Sequence, residues 1–369
     1  MKKTFLFCVT LLVAVCCGHQ GTSPLGLKDA LGDDFLVGVA LNRTQILSLD
    51  SKADSVIKFH FNAAEPENCM KSEAIHPEED RYDWTLADSY VDYCTGRGIT
   101  PYGHVLIWHS QLSPWFCVDE NGNDVSPEVL KSRMKDHITT VMTRYKGRIK
   151  GWDVVNEAIE DDGSWRQSPF YRILGEEFIP LAFQYAHEAD PDCELYYNDY
   201  GMHHPGRHKR VLELVSMLKD RGLRIDAVGF QGHMGMDYPD IDTYEKYMRE
   251  VANLGVGICI TEWDMSALPT ITSSADVAEL AKSLGIAPEN MLNPYPDGLP
   301  EDISRQWNSR VEEFFGMFRR NSDIIRRVNI WGLNDSSSWK STPRRRDYPL
   351  LFDDNYSPKD VVISLTSNK

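Results

Sequence analysis

The segment Gly255-Val-Gly-Ile-Cys-Ile-Thr261 is a nearly continuous run of small and apolar residues. A strand has this composition when both of its faces are buried, as in a parallel sheet that helices cover. Seven further runs enriched in β-branched or aromatic residues recur along the chain. The eight predicted strands are Phe35–Leu41, Val56–Phe61, Ile99–Ile107, Ile149–Val155, Glu194–Asn198, Ala227–Phe230, Val256–Thr261 and Val328–Leu333.

Segments with helical periodicity separate these strands. Ser126-Pro127-Glu128 is typical of a helix start, and apolar residues then recur at three- and four-residue steps as far as Tyr145. A second apolar stripe runs from Val211 to Leu218 and ends near Gly222. Eight alternations of strand and helix favour an α/β fold of the closed (β/α)8 or TIM-barrel type over a doubly wound sheet. Neither a repeat nor a shift in composition indicates a second domain.

Charge and cysteine content exclude several classes of function. The 369 residues carry a formal net charge of −16, whereas a nucleic-acid partner would require a dominant basic surface. The cysteines beyond the N-terminal segment are widely spaced and form no CxxC pair, so we expect buried free thiols and no zinc ribbon. They are Cys69, Cys94, Cys117, Cys193 and Cys259.

The histidines His203, His204 and His208 are the strongest candidate metal ligands in the sequence. Pro205 and Gly206 interrupt them, and no acidic residue lies at ligand spacing. We therefore expect an ordinary loop here, and no metal or cofactor. We also expect a monomer.

Residues 1–17 have the pattern of an export signal. Met1-Lys2-Lys3 precedes an apolar run from Phe5 to Cys17 that is too short to span a bilayer. We expect an exported protein that is periplasmic, attached to the cell surface or extracellular. Plain cleavage of the signal and lipidation at Cys16 or Cys17 stay open, and only lipidation would attach the protein to a membrane.

Residues 265–304 break the alternation of strands and helices. They separate the seventh predicted strand from a helix near Gln306–Phe318, and they contain five prolines. A connection of this length is usually functional or mobile. Because it follows Glu262 closely, we expect it to reach the rim of any site there.

Polar and aromatic residues follow the predicted strands. In a (β/α)8 barrel all strands end at one face, and active sites lie there. The strand ends carry Glu67, Asn68 and Lys71; His104, Trp108 and Gln111; Asn156 and Glu157; Asn198 and Tyr200; Gln231 and His233; Glu262 and Asp264; and Trp331 and Trp339. The sequence therefore predicts one site built from many strands.

Glu157 and Glu262 are the candidate catalytic residues. Cleaving a glycosidic bond with retention requires a carboxylic acid and a carboxylate nucleophile about 5–5.5 Å apart. One strand-end glutamate could as readily form a salt bridge, but two that are flanked by amides and aromatic rings favour catalysis.

The neighbouring residues have matching roles. Asn156 could bind a sugar 2-hydroxyl group, and His233 could orient Glu262 while Asp264 holds that histidine. Trp108, Trp331, Trp339 and Tyr200 offer flat rings for sugar faces. Each aromatic residue alone is more often core packing, but several on one barrel face favour a sugar cleft.

Six segments resemble glycoside hydrolase family 10, the endo-β-1,4-xylanases, within a match over residues 26–364. They are Trp152-Asp-Val-Val-Asn-Glu157, Gly103-His-Val-Leu-Ile-Trp-His-Ser-Gln111, Tyr197-Asn-Asp-Tyr200, Gly229-Phe-Gln-Gly-His233, Ile260-Thr-Glu262-Trp-Asp264 and Trp331-Gly-Leu with Ser338-Trp339. The resemblance implies a single catalytic (β/α)8 domain that cleaves xylan or xylo-oligosaccharides within the chain. It implies that Glu157 is the acid/base and Glu262 the nucleophile. It also implies sugar-binding residues on the non-reducing side of the cut, namely Glu67, Asn68, Lys71, His104, Trp108 and Gln111.

The chain departs from the family pattern at a few positions. Cys69 and Ser72 replace a glutamate and a tryptophan around Lys71, Trp263 replaces an aliphatic residue, and the 265–304 connection is long. These changes affect subsites and no catalytic residue. The alternative functions are another retaining barrel glycosidase, such as a β-glucanase or mannanase, and a non-catalytic glycan-binding protein. The latter would be expected to have lost Glu157 or Glu262.

Overall fold

The structure is a computed structural model that describes residues 24–271, 274–285 and 287–367. The predicted export signal, residues 1–17, lies outside these ranges. Within them, no helix is both long enough and apolar enough to cross a membrane.

A parallel sheet forms the centre of the protein. Its strands are β1 (Leu36–Leu41), β2 (Ala63–Pro66), β3 (Thr100–Pro101), β4 (Gly151–Asn156), β5 (Glu194–Asp199), β6 (Ala227–Phe230), β7 (His233–Met234), β8 (Gly257–Met265) and β9 (Ile325–Ile330). The order is β3-β2-β1-β9-β8-β6-β5-β4, and the short strand β7 pairs with β8. Parallel bridges from Gly103 to Trp152 and from Ile107 to Val155 join the segment after β3 to β4. These bridges close the ring, and the predicted (β/α)8 barrel is confirmed.

Helices surround the barrel and cover the outer face of the sheet. They are α1 (Leu27–Leu31), α2 (Arg43–Ile46), α3 (Ser51–His60), α4 (Ser72–Ile75), α5 (Thr85–Thr95), α6 (Pro127–Arg144), α7 (Pro169–Leu174), α8 (Phe178–Ala189), α9 (Pro205–Asp220), α10 (Ile241–Ala252), α11 (Ser274–Leu284), α12 (Glu301–Arg320) and α13 (Asp360–Ser367). The predicted helix start is confirmed, because the Ser126 hydroxyl accepts a hydrogen bond from the backbone N–H of Val129.

The predicted second strand, Val56–Phe61, is wrong. These residues belong mainly to α3, whose first turn is capped by the Asp50 carboxylate through hydrogen bonds from Lys52 and Ala53. Ala53, Ile57 and His60 form the buried face of this helix at three- and four-residue spacing. The strand is the short segment Ala63–Pro66 that follows it.

Other parts of the chain also differ from the prediction. Regular pairing in the third strand covers only Thr100–Pro101, where proline supplies no N–H group to the ladder. The last strand begins and ends three residues earlier than predicted, at Ile325–Ile330. The 265–304 connection contains α11 and a 3-10 helix at Pro288–Asn290. Strand β8 also continues past Glu262 to Met265.

A buried ion pair lies inside the barrel. Arg327 on β9 donates to Glu65 on β2 at 2.6 Å, and both side chains are almost wholly inaccessible. The guanidinium carbon lies 4.0 Å from the centre of the Tyr102 ring. Such a pair is retained only when each charge compensates the other, because water cannot solvate either one. The predicted buried free thiols beyond the N-terminal segment are also confirmed.

Replacing Arg327 by methionine should lower the free energy of unfolding by at least about 3 kcal/mol, because Glu65 would stay buried without a counter-charge. Chemical denaturation of the variant beside the wild type measures the loss. The double variant Arg327→Met/Glu65→Gln should recover part of it, since both charges are then absent. A loss below about 1 kcal/mol for Arg327→Met would contradict this view of the barrel interior.

Candidate active site

A cleft of about 590 Å³ opens at the C-terminal ends of the strands. Most of the residues predicted from the strand ends line it. They are Glu67, Asn68, Lys71, His104, Trp108, Gln111, Asn156, Glu157, Tyr200, Gln231, His233, Glu262, Trp331 and Trp339. Asn198 and Asp264 are fully buried behind the cleft wall and contact residues that line it.

Glu157 directly follows β4 and has a left-handed backbone, with φ of 57°. This conformation costs a non-glycine residue roughly 1–3 kcal/mol, so the surroundings must hold it. Its N–H donates to the Asn198 carbonyl oxygen at 2.9 Å. The side chain accepts hydrogen bonds from Trp108 Nε1 at 2.9 Å and from Gln231 Nε2 at 2.9 Å. The carboxylate is therefore fixed at the cleft wall.

Glu262 lies on β8 opposite Glu157, at an irregularity in the pairing between β8 and β9. Its carboxylate accepts a hydrogen bond from Asn198 Nδ2 at 2.8 Å and lies 3.4 Å from His233 Nε2. Burial acts to raise the pKa of Glu262. The hydrogen bond from His233 and the charges of His104 and His233 outweigh burial, so the pKa lies below its ordinary value. Glu262 is therefore held as an anion, as a nucleophile requires.

Asn156, Asn198 and Gln231 connect the two carboxylates through side-chain amides. Asn198 Oδ1 accepts a hydrogen bond from the Thr261 hydroxyl group at 2.6 Å. This bond fixes the orientation of the amide, so that Asn198 Nδ2 is the donor toward the site. That Nδ2 donates to Asn156 Oδ1 at 3.0 Å as well as to Glu262. Gln231 Nε2 lies 3.2 Å from the same Asn156 oxygen. We call these three residues the amide bridge, and it sets the position of one carboxylate relative to the other.

His233 lies between two carboxylates. Its Nδ1 is 3.0 Å from the Asp264 carboxylate. Asp264 also accepts a hydrogen bond from the Trp339 indole N–H at 2.9 Å and forms an ion pair with Lys340 at 3.3 Å. Burial lowers the pKa of His233, but Asp264 and Glu262 outweigh burial and raise it to about 9. His233 is therefore positively charged at neutral pH and stabilises the Glu262 anion.

The order of strands divides the cleft into two halves. Strands β4 and β8, which position the two glutamates, are separated by β5 and β6 on one side and by β9, β1, β2 and β3 on the other. On the second side, Lys71 Nζ donates to Gln111 at 2.7 Å and to Asn68 at 3.0 Å. His104 contacts Asp153 at 2.8 Å and packs edge-on against Trp331. The cleft therefore continues on both sides of the two carboxylates.

Three side chains of the cleft were not predicted from the sequence. His203, His204 and Tyr238 line the half beside β5 and β6, together with Tyr200. The rings of His203 and Tyr238 lie 5.8 Å apart. The loop predicted at these histidines is observed at residues 201–204, and it follows a strand end and faces the cleft. His208 is instead on α9, where it contacts Glu250 at 2.7 Å.

The departures from the family pattern lie outside the contacts of the two glutamates. Cys69 is buried, and the Ser72 hydroxyl group shares a hydrogen bond with Ser113 at 2.9 Å. Trp263 is fully buried and packs edge-on against Phe315 of α12. Across the described ranges, no three His, Cys, Asp or Glu side chains form a group that could hold a metal.

Known proteins are similar to this chain in sequence and in fold. The sequence model of glycosyl hydrolase family 10 matches residues 26–367. The chain belongs to this family. It is therefore a glycoside hydrolase, and the resemblance expected from the six segments is confirmed.

Two relatives and one solved structure illustrate the similarity. Endo-1,4-beta-xylanase A of Xylanibacter ruminicola is 46% identical over 365 residues, which are 98% of each chain. An endo-1,4-beta-xylanase of Geobacillus stearothermophilus is 36% identical over 90% of this chain and 95% of its own. A GH10 endoxylanase retrieved from a sugarcane soil metagenome superposes with a TM-score of 0.85 at 39% identity. That superposition covers 92% of this chain and 98% of the other.

Because His233 is charged in the folded protein, part of the free energy of unfolding should be lost at alkaline pH. Because its folded pKa is about 9 against an ordinary 6.5, its contribution is complete below about pH 6.5 and is lost as the pH rises through 9. That contribution is about 3 kcal/mol at most. Thermal midpoints of the wild type and His233→Asn, measured from pH 6 to pH 10, should therefore converge above pH 9. A constant difference over this range would show that the charge of His233 does not stabilise the site.

Proposed function

We propose that this family 10 hydrolase cleaves β-1,4-xylosidic bonds within xylan by a retaining double displacement. The observation that carries the proposal is the amide bridge, which ties two glutamates on opposite strands to one cleft. Retaining glycosidases require two carboxyl groups that face the same bond. The cleft continues on both sides of the pair, as cleavage within a polymer requires.

In the first step, Glu262 attacks the anomeric carbon and the bond to the leaving oxygen breaks. Glu157 gives its proton to that oxygen. The low pKa of Glu262 and its contact with charged His233 support its role as the nucleophile. The product of this step is a covalent glycosyl-enzyme.

In the second step, Glu157 is a carboxylate and acts as a base. It takes a proton from water, whose oxygen attacks the anomeric carbon and releases Glu262. Two inversions give net retention. Asn156 lies between Asn198 and Glu157 and can donate to or accept from the sugar 2-hydroxyl group, where contacts strengthen as positive charge develops on the ring.

The substrate assignment is supported by the relatives, which are named endo-1,4-beta-xylanases. The residues at the predicted glycone half, among them Asn68, Lys71 and Gln111, form one hydrogen-bonded group at the cleft wall. Retaining barrels also act on β-glucans and mannans, so xylan, glucan and mannan should be assayed in parallel. The proposal requires xylan to be hydrolysed fastest.

Glu157→Ala should separate the roles of the two glutamates. An aryl xyloside with a good leaving group needs no acid, so the first step should proceed and the glycosyl-enzyme should accumulate. Kinetics should show a burst followed by slow turnover. Azide needs no deprotonation and fits the space that the carboxylate left, so it should restore the rate and yield a β-glycosyl azide.

Glu262→Ala is the matched control, since it removes the other carboxylate. It should lower turnover of every substrate by several orders of magnitude, because the covalent intermediate can no longer form. An α-azide product from Glu157→Ala would show a single displacement and contradict retention. Unchanged xylan hydrolysis by Glu157→Ala would show that the acid/base is another residue.

The 265–304 connection is proposed to influence substrate choice through the loop that carries Tyr238. Thr270 Oγ1 donates to Asp237 Oδ1 at 2.6 Å, next to Tyr238 in the cleft. Further along the connection, Asn293 Oδ1 accepts a hydrogen bond from the backbone N–H of Arg346 at 2.9 Å. The connection therefore contacts the loops after β7 and β9, which both reach the rim.

Thr270→Val removes this hydrogen bond while it preserves side-chain shape. Hydrolysis of xylan should change by roughly threefold in kcat/KM, the effect of about one hydrogen bond, while a small aryl xyloside is unaffected. Thr243→Val is the control, because Thr243 makes the same 2.6 Å bond to Asp240 at the start of α10. Equal effects of Thr270→Val on both substrates would indicate a purely structural connection.

We further propose that the enzyme acts outside the cytoplasm. The support is the pattern of residues 1–17, a basic start followed by an apolar run, together with a polymeric substrate that does not cross membranes. Mass spectrometry of the mature N-terminus from the native host would show whether the segment is cleaved or carries a lipid on Cys16 or Cys17.

A further inference from the structure

Arg166 contacts the backbone of Glu157 from the loop that follows β4. Its Nε donates to the Glu157 carbonyl oxygen at 2.8 Å, and its own backbone N–H donates to the Ala158 carbonyl oxygen at 2.9 Å. The loop therefore folds back onto the residue that has the left-handed conformation. A cation that binds this carbonyl oxygen restrains the peptide group after Glu157, and with it the direction of the side chain.

The same guanidinium group holds an aromatic ring of the cleft. Arg166 Nη2 donates to the Tyr200 hydroxyl oxygen at 2.7 Å, and Tyr200 lines the half beside β5 and β6. Arg207 fixes this tyrosine from the other side, with a bond to its carbonyl oxygen at 3.0 Å and its guanidinium carbon 4.1 Å from the ring centre. Arg166 thus joins Glu157 to a ring that a sugar can contact.

Arg166 does not contact the other carboxylate of the pair. Glu262 is held by Asn198 and His233 on separate strands. The third nitrogen of Arg166, Nη1, pairs with Glu160 at 3.2 Å within the same loop. A defect at Arg166 should therefore affect proton transfer by Glu157 and leave nucleophilic attack by Glu262 largely intact.

We propose that Arg166 is a positioning residue for the acid/base. Through Tyr200, it links the orientation of the Glu157 carboxyl group to the leaving-group side of the cleft. The inference rests on the proposed function of Glu157. Arg166 neither gives nor takes the proton. It holds the peptide group of Glu157 so that the carboxyl group is directed at the leaving oxygen, and a sugar on Tyr200 strengthens that arrangement.

The test is a series of aryl β-xylobiosides that differ in the pKa of the leaving phenol. Arg166→Met should lower kcat/KM for the poorest leaving group by roughly ten- to a hundredfold, a part of the usual effect of general acid catalysis. It should lower kcat/KM for a dinitrophenol leaving group by less than about threefold, since no acid is needed there. The dependence of rate on leaving-group pKa should therefore become steeper. Arg166→Lys keeps the charge but cannot serve both partners, so its effect should be intermediate.

Arg210→Met is the matched control. Arg210 Nε donates to the Gly163 carbonyl oxygen at 2.8 Å, in the same loop, and its guanidinium carbon lies 5.2 Å from the Trp165 ring centre. Its contacts are with Gly163, Trp165 and Glu213, and they include neither Glu157 nor Tyr200. Its variant should change rates equally for all leaving groups, whatever it does to the thermal midpoint. Tyr200→Phe removes one partner of Arg166 and should steepen the dependence in the same direction.

The inference would be overturned if Arg166→Met lowered kcat/KM equally for all leaving groups or did not lower it at all. It would also be overturned if Arg210→Met made the dependence of kcat/KM on leaving-group pKa equally steep. If Arg166→Met does not fold, the leaving-group dependence of Arg166→Lys and Tyr200→Phe decides. A wild type that hydrolyses aryl cellobiosides but not xylobiosides would overturn the xylan assignment alone, and the same series on cellobiosides would then test Arg166.

Discussion

The side-chain amide of Asn198 sets the geometry on which the rest of the site depends. It donates to Glu262 and to Asn156 from a fully buried position, and the Thr261 hydroxyl group fixes which way the amide faces. Buried polar groups that are fully partnered in this way are rigid, because any movement breaks bonds that water cannot replace. Barrel closure places β4, β5 and β8 around this amide. The positions of the two carboxylates are therefore set mainly by the strands of the barrel.

Charge compensation explains how so many ionisable groups can be buried together. Glu262 and Asp264 on β8 flank His233, and Lys340 contributes a second positive charge to Asp264. Below the site, Arg327 compensates Glu65 inside the barrel. An unpaired charge at any of these positions would cost several kcal/mol. The same compensation keeps Glu262 ionised, which is the form that the proposed nucleophile needs.

Much of the fold could be predicted because buried parallel strands have a distinctive composition. The run before Glu262 and the helix after Ser126 were placed correctly on that basis. The second strand was placed wrongly, because the apolar residues of Val56–Phe61 fit the spacing of a strand as well as that of a helix. Only the Asp50 cap and the packing of Ile57 select the helix. The strand itself, Ala63–Pro66, is too short to be recognised by pattern.

The site was predictable where a residue directly ends a strand, since topology alone brings strand ends together. Lys71 and Trp339 lie further into loops, and the resemblance to family 10 indicated both. His203, His204 and Tyr238 also lie in loops, whose course the sequence pattern does not determine, and no such resemblance was drawn for them. The positioning contacts of Arg166 were likewise invisible, since they depend on how the loop after β4 folds back on Glu157.

In the proposed mechanism, Glu262 forms a covalent bond to the sugar during turnover. A 2-deoxy-2-fluoro-β-xylobioside with a good leaving group tests this most directly, because fluorine slows both displacements by destabilising positive charge on the ring, and the leaving group restores the first. Peptide mass spectrometry of the inactivated enzyme should find one 2-fluoroxylobiosyl group on the peptide that contains Glu262, and on that residue. A label on Glu157 or any other residue, or turnover without a trapped intermediate, would contradict the account.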